Sequence, residues 1–307
     1  MRIRIVTEGA SATPPFHRLE PNPRPCSTPA KFHRFAWTKP RMARRLALVT
    51  GASAGIGAAF ARIYASHGYD VALTARRLDR LEALAAEIRL RFGVEAYTIA
   101  ADLAQPDAVD HVLAAIEAEG RVVDALVNNA GYGLPGAYAQ TCWEDQAAFL
   151  QVLLVSVCGL THKVLPGMVE RGFGRIVNVA SLAGLAPGAA GHTLYAATKS
   201  FLVKFSQSLH LETQGAGVHV SALCPGFTYS EFHDVNGTRA QVSQSLPAWL
   251  WLGADEVAAA GYEAAEANRA ICVPGSPNKA IAVLAKLIPD DWALALMASQ
   301  GSRFRKV

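Results

Sequence analysis

Hydrophobic positions along this chain follow two alternating rhythms. Short, mostly apolar runs of strand length occur at Leu46–Thr50, Asp70–Thr74, Val94–Ala100, Val123–Val127, Gly174–Ala180, Val218–Leu223 and Ala270–Val273. Between them, apolar positions recur every three or four residues, as at Leu78, Leu81, Leu84 and Ile88, which marks one face of a helix over Leu78–Leu90. The same spacing predicts a helix after the first strand and helices over Pro106–Ala118, with proline in its first turn, Thr193–Thr213 and Asp255–Asn268. Trp143–Glu170 reads as one long apolar helix or as one broken at Pro166. Strands this apolar are buried on both faces, so the regular alternation predicts an α/β fold with a parallel sheet covered by helices on both sides.

No shift in composition interrupts residues 46–273, which predicts a single domain, here bounded as 42–274. Residues 1–41 carry seven prolines and no period, and are expected to be a disordered basic extension; Met42, directly before the first strand, is an alternative translation start. Residues 275–307 are expected to form a C-terminal helical extension, with a helix over Ala280–Ile288, a break at Pro289 and a short helix from Asp291. In that extension Trp292 and Leu294 should pack on the domain, and Arg303, Arg305 and Lys306 make a basic end.

The net charge of +4 is unevenly spread: residues 1–41 carry +6, which leaves −2 on the rest and no nucleic-acid-binding signature. Five cysteines, an odd number without a CxxC pair, argue for reduced thiols in a cytoplasmic protein and against a disulfide frame or a metal site; Cys158 and Cys224 read as core fillers. No uninterrupted run of 18 apolar residues exists, and the best candidate, Phe149–Leu160, is too short to span a bilayer.

In a doubly wound sheet, ligands bind beyond the carboxyl ends of the strands, so the residues there are the ones to read for chemistry. The first strand runs into Gly51, Gly55 and Gly57 and then a helix, which aims backbone N–H groups and the positive helix end at one point suited to a phosphate. Gly51 allows the tight turn, Gly55 lets a pyrophosphate approach, and Gly57 lets the helix lie close to the sheet. The second strand ends in Ala75, Arg76 and Arg77 with no acid, the third at Asp102, the fourth at Asn128-Asn129-Ala130-Gly131, the fifth at Ser181 and the sixth at Pro225-Gly226.

Tyr195 and Lys199 stand four positions apart, hence on one helix face. A phenol with an ordinary pKa of ~10 is a poor proton-transfer group near neutrality unless a cation stabilises its phenolate, which Lys199 is placed to do. With the Ser181 hydroxyl, the three can hold a carbonyl or alcohol oxygen and move a proton to or from it.

Taken together, TGASAGIG (50–57), Asp102, NNAG (128–131), Ser181, YAATK (195–199) and PG (225–226) resemble the short-chain dehydrogenase/reductase superfamily, in its classical subgroup, over residues 46 to about 273. The resemblance implies a single Rossmann-type doubly wound parallel sheet of seven strands in the order 3-2-1-4-5-6-7. It implies an enzyme acting on CH–OH groups with NAD(P), in which Tyr195 is the general acid/base, Lys199 holds the nicotinamide ribose and lowers the phenol pKa, and Ser181 orients the substrate oxygen. The nucleotide would be held by Gly51, Ser53, Gly55, Ile56, Gly57, Arg76, Asp102 and Leu103. Asn129, Ala130, Gly131, Tyr195, Lys199, Pro225, Gly226 and Thr228 would complete the cleft.

The absence of an acid after the second strand, with Arg76 beside the ribose, favours a 2′-phosphate, so NADP(H) is expected in preference to NAD(H); Arg77 reads as a solvated residue of the first helical turn. Relatives often carry an asparagine in the long fourth-crossover helix, and alignment puts that position on Leu153. The segment from Thr228 to Asp255, with Tyr229, Phe232, Leu246, Trp249, Leu250, Trp251 and Leu252, suggests a hydrophobic carbonyl or alcohol substrate. His192 and His233 are bystanders on this reading, and Asn236-Gly237-Thr238 matches a glycosylation pattern with no meaning in a cytoplasmic protein. The apolar breadth of helix 143–170 points to a homodimer or homotetramer. The competing readings are a non-catalytic NADPH-binding sensor or scaffold and a 3-oxoacyl thioester reductase.

Overall fold

Four apolar residues in succession and a threonine, Leu46–Thr50, form β1, buried on both faces. The computed structural model describes residues 44–191, 193–231, 247–289, 291–295 and 298. β1 pairs in parallel with β2 (Asp70–Ala75) on one side and β4 (Ala125–Asn128) on the other. β3 (Ala96–Ala100) joins beyond β2, and β5 (Gly174–Val179) and β6 (Val218–Leu223) follow β4. Two short strands, β7 (Thr228–Tyr229) and β8 (Leu252–Gly253), form a parallel ribbon of their own. The last strand, β9 (Ile271–Cys272), closes a seven-stranded sheet ordered β3-β2-β1-β4-β5-β6-β9. This is the expected order, with the small ribbon inserted ahead of the seventh sheet strand.

Strand residues alternate between two cores, as a period of two requires. Ala47, Val49, Val71 and Leu73 face α1 (Gly55–Ser66), α2 (Leu78–Phe92) and α7 (Ala254–Glu266). Leu46, Leu48, Leu126 and Ile176 face α3 (Ala108–Ala118), α5 (Ser156–Glu170) and α6 (Thr193–Glu212). Pro106 precedes α3 rather than opening it, because the turn from Asp102 holds the chain through Gln105: the Asp102 carboxylate accepts the Ala104 N–H at 3.1 Å and its carbonyl the Gln105 N–H at 2.9 Å.

Pro166 does not break the long helix. Pro166 and His162, the residue whose carbonyl loses its helical partner, are both on the exposed side. The interruption lies earlier, where a π-turn over Gln151–Val155 joins α4 (Trp143–Leu150) to α5. Trp143–Glu170 is therefore longer than the Phe149–Leu160 run visible in the sequence, and its 28 residues are long and apolar enough to cross a bilayer by length and composition. It packs against the sheet, with Phe149, Leu153, Leu160 and Met168 fully buried.

After β9, α8 (Ser276–Leu287) turns Asn278 and Ala282 inward. Residues 291–295 are helical, but Trp292 and Leu294 do not pack on the domain as expected; the inward position is the small Ala293 between them. Cys224 is a buried core filler, whereas Cys158 is only half-buried. The expectations for residues 1–41, Met42, Cys26, His192, Phe232, His233, the 236–238 pattern, Leu246, Arg303, Arg305 and Lys306 lie outside the described residues.

Candidate active site

The glycine loop is tied to the end of β4 by one residue that sequence reading passed over. The Thr50 hydroxyl donates to the Val127 carbonyl at 3.2 Å and accepts the N–H groups of Asn129 and Ala130 at 2.9 and 3.0 Å. The Asn129 amide returns to the carbonyls of Thr50 and Gly51 at 2.9 and 3.2 Å. Gly51 adopts φ +66°, and a Cβ on Gly57 would lie 2.3 Å from the Gly51 carbonyl oxygen, so both are needed for the loop to fold on itself. Gly55 opens α1, and the N-cap Ala54 offers no side-chain acceptor, while the first turn contains no acid. The N–H groups of Gly55, Ile56 and Gly57 are thus a donor set suited to an anion from outside the helix.

At the end of β2, the two arginines differ in burial and partners. Arg76 is exposed; it lies near enough to Tyr132 to oppose the rise in that phenol's pKa caused by burial and by Asp145. Arg77, the N-cap residue of α2, is half-buried rather than solvated, because its side chain turns back to the loop. Its Nη2 and Nε donate to the Ser53 hydroxyl at 2.9 and 3.3 Å, and its Nη1 pairs with Glu231 at 2.9 Å. Arg80 meets the other oxygen of Glu231. Asp102 caps its own turn, and Leu103 beside it is buried.

Ser181 follows β5, and its hydroxyl accepts the Ala183 N–H at 3.1 Å and is hydrogen-bonded to the Tyr195 phenol. The turn after it is fastened on two sides. Leu182 N–H donates to the Pro225 carbonyl at 2.8 Å, and the Ser200 hydroxyl donates to the Gly184 carbonyl at 2.8 Å. Gly184 lies so close to α6 that a Cβ would be 2.6 Å from the Lys199 carbonyl carbon. Neither Gly184 nor Ser200 carries a periodic or motif signal.

Lys199 is buried, donates from Nζ to the Val179 carbonyl at 2.8 Å, and lies 5.7 Å from the centre of the Tyr195 ring. Burial lowers its pKa to about 8. The expected lowering of the phenol is not what this arrangement produces: burial raises the Tyr195 pKa, and the bond from Ser181 only partly opposes it. Lys199 is itself desolvated and spends a donor on the Val179 carbonyl, so burial prevails.

Gly226 admits Asn278 of α8, whose Oδ1 would be 2.4 Å from a Cβ there; Asn278 is buried and donates to the Pro274 carbonyl at 3.1 Å. Thr228, also buried, donates to the Gly226 carbonyl at 3.2 Å. Leu153 sits in an apolar cluster with Leu103, Phe149 and Val152, against which Ala130 and Tyr195 pack; Gly131 also faces it, a Cβ there lying 3.6 Å from the Leu153 Cγ. The π-turn is centred on this residue. Trp251 is buried under Tyr229 and Phe227, with ring centres at 4.9 and 5.5 Å, while Trp249 is exposed. The sequence-selected residues are therefore brought to one crest of the sheet through Thr50–Asn129, Leu182–Pro225 and the Leu153 cluster. Among the described residues, no group of three His, Cys, Asp or Glu could hold a metal.

A family model described as short chain dehydrogenase matches residues 45–240. An uncharacterized oxidoreductase of Myxococcus xanthus is 38% identical over 195 residues, covering 64% of this chain and 76% of that protein. The very-long-chain 3-oxoacyl-CoA reductase of Homo sapiens is 39% identical over 185 residues, 59% of this chain and 58% of its own length. Among solved structures, a short-chain dehydrogenase from Sphingobium yanoikuyae in complex with NADPH is similar with a TM-score of 0.69 and 30% identity, over 86% of this chain and 96% of that one.

Proposed function

The chain belongs to the short-chain dehydrogenase family, and on that footing we propose that it is an NADP(H)-dependent oxidoreductase interconverting a ketone or aldehyde with an alcohol. The observation that carries this is the convergence of Ser181, after β5, with Tyr195 and Lys199 of α6: Ser181 is hydrogen-bonded to the Tyr195 phenol, and the Lys199 ammonium lies 5.7 Å from the centre of that ring. The coenzyme, when bound, supplies or accepts the hydride. The N–H groups of Gly55 and Ile56, with Gly51, Ser53 and Gly57 shaping the loop, suit its pyrophosphate. Asp102 and Leu103 would border its adenine, Asn129, Ala130 and Gly131 would line the cleft, and Pro225, Gly226 and Thr228 would frame its carboxamide.

Ser181 orients the substrate oxygen by hydrogen bonding, and Tyr195 gives that oxygen its proton during reduction. Burial keeps the phenol protonated and ready as an acid. Lys199 holds the ribose and places positive charge where phenolate develops. The neighbouring seat filled by Leu153 offers no side-chain amide, so any polar partner there comes from the backbone of the π-turn.

Preference for NADP(H) over NAD(H) is supported by Ala75 in place of an acid and by Arg76 and Arg77 at the end of β2. A hydrophobic substrate is supported by the aromatic stack of Phe227, Tyr229 and Trp251. A 3-oxoacyl thioester reductase is a narrower reading that the human relative's name invites, but residues 227–231 and 247–253 include no Lys or Arg for a carrier phosphate. The proximity of Ser181, Tyr195 and Lys199 argues against a non-catalytic sensor. A homodimer or homotetramer is supported by Trp143, Val155 and Val169 exposed along α4–α5 and Phe201 and Leu211 along α6, and a cytoplasmic setting by the free thiols of the four described cysteines.

The test is turnover of NADPH and NADH with a panel of hydrophobic ketones, for the wild type and Arg76→Glu. Loss of a charge-assisted contact worth ~1.5–3 kcal/mol should raise KM for NADPH by roughly 10–100-fold and leave that for NADH nearly unchanged. Equal effects on the two coenzymes would refute the preference, and no turnover of any carbonyl would refute the activity.

A further inference from the structure

The arginines that flank the ribose side of the nucleotide site already hold an anion, and it belongs to the chain itself. Glu231 puts one carboxylate oxygen on Arg77 at 2.9 Å and the other on Arg80. Its position is set from both sides. Tyr229, two residues earlier, is paired with Gly253 in the β7–β8 ribbon and stacked on the buried Trp251 at 4.9 Å. Ser230 then passes directly over the glycine loop, where a Cβ on Gly55 would lie 2.9 Å from the Ser230 Cβ. The loop after β6 thereby delivers a carboxylate to the far end of the nucleotide site.

Each nitrogen of Arg77 is already engaged in this arrangement, with one N–H left on each of Nη1 and Nη2. Its Nε and Nη2 are on the Ser53 hydroxyl and its Nη1 is on Glu231. Glu231 takes the Nη1 side of Arg77 and neutralises its charge, so a phosphate monoester that meets the guanidinium from that side competes with the carboxylate for it. We infer that Glu231 is an internal competitor for the 2′-phosphate of the coenzyme. It thereby sets how strongly this site discriminates NADPH from NADH.

The inference rests on the NADP(H) reading above and deepens it. NADH presents a neutral hydroxyl at that position and need not displace Glu231, so the competition falls on NADPH alone. The side chains of Arg77, Arg80 and Glu231 are 41%, 44% and 38% exposed, which keeps the effect modest, since solvent screens such pairs. A device of this strength adjusts affinity without abolishing it, and links occupancy of the phosphate end to the position of the loop that carries Tyr229.

The test is equilibrium binding of NADPH and NADH to the full chain by calorimetry, for the wild type, Glu231→Gln and the pair Arg77→Gln with and without Glu231→Gln. Glu231→Gln should lower the Kd for NADPH roughly 3–10-fold and change that for NADH less than about twofold. In the Arg77→Gln background the gain should shrink to less than half. Glu231→Ala serves as a second variant and should shift the ratio in the same direction. The competitor is overturned if NADPH binds more weakly to Glu231→Gln, or if both coenzymes shift together. A wild type that prefers NADPH while Glu231→Gln leaves the ratio unchanged sinks this inference alone; a wild type without preference, unchanged by Glu231→Gln, sinks the coenzyme reading with it.

Discussion

Ser181 and the half-buried Tyr195 gather around the buried Lys199, whereas Arg76, Arg77, Arg80 and Glu231 lie at the rim, and the two regions hold their groups in different ways. The interior set is anchored by backbone: Val179 and Pro225 carbonyls, the N–H of Ala183, and Gly184 pressed against α6. Beneath it, Asn128 donates to Asn178 at 2.8 Å and to Thr161 at 3.2 Å, and Asn178 donates to Ser206 at 2.9 Å, joining β4, β5, α5 and α6 through buried side chains. Such bonds are expensive to lose because the orphaned partner stays buried. At the rim, Arg77, Arg80 and Glu231 are held by half-exposed ion pairs, each worth little and each open to exchange. Chemistry is fixed where geometry is enforced; selectivity is adjusted where charges can change partners.

The largest expected effect breaks the interior. Tyr195→Phe keeps the packing of the ring but removes the proton, and should lower kcat for ketone reduction by roughly 10²–10⁴-fold with coenzyme Kd little changed. Retention of more than a tenth of the wild-type kcat would show that another group supplies the proton.

A pH profile probes the same region from its charge. The folded pKa of Lys199, about 8, lies below its ordinary 10.5. On the proposed mechanism reduction needs the ammonium, so kcat/KM should fall as pH rises past about 8, by roughly tenfold per unit. Stability should move the other way. Between these two values the unfolded chain binds more protons, so the cost of burying the ammonium is full below about 8 and is relieved as pH rises. A flat kcat/KM up to pH 10 would mean that Lys199 keeps its proton despite burial.

The smallest effect sharpens the contrast with the rim. Raising salt from about 0.1 M to about 1 M shortens the screening length from ~10 to ~3 Å, and should raise KM for NADPH roughly 2–5-fold while kcat stays within about twofold. A parallel fall in kcat would mean that the two regions are not separable.

The strands, the glycine loop and the Tyr195–Lys199 pair were all legible from local pattern, because strand burial, the turn at Gly51 and four-residue spacing on a helix are properties of short stretches; the order of the strands came only with the family resemblance. Helix starts were less so: Pro106 was displaced from α3 by a turn that depends on where the Asp102 carboxylate points. The exposure of Trp292 and Leu294 was likewise missed, since an apolar residue in a short helix faces inward only if the surface beneath it leaves room.

What the sequence alone determined is thus the architecture and which polar groups stand at the strand ends and on one face of α6. What only the tertiary structure decided is their state: that Arg77 turns to Ser53, that Glu231 reaches Arg80 from 151 positions away, and that Asn278 fills the space beside Gly226. Tertiary structure also set the Tyr195 phenol above its ordinary pKa instead of below it. These depend on which distant surfaces meet and how much water they exclude. Periodicity along a chain carries the first kind of information because it reflects which face of each element is buried. It carries none of the second, because desolvation and partner choice are set by neighbours that the fold, and not the local sequence, brings together.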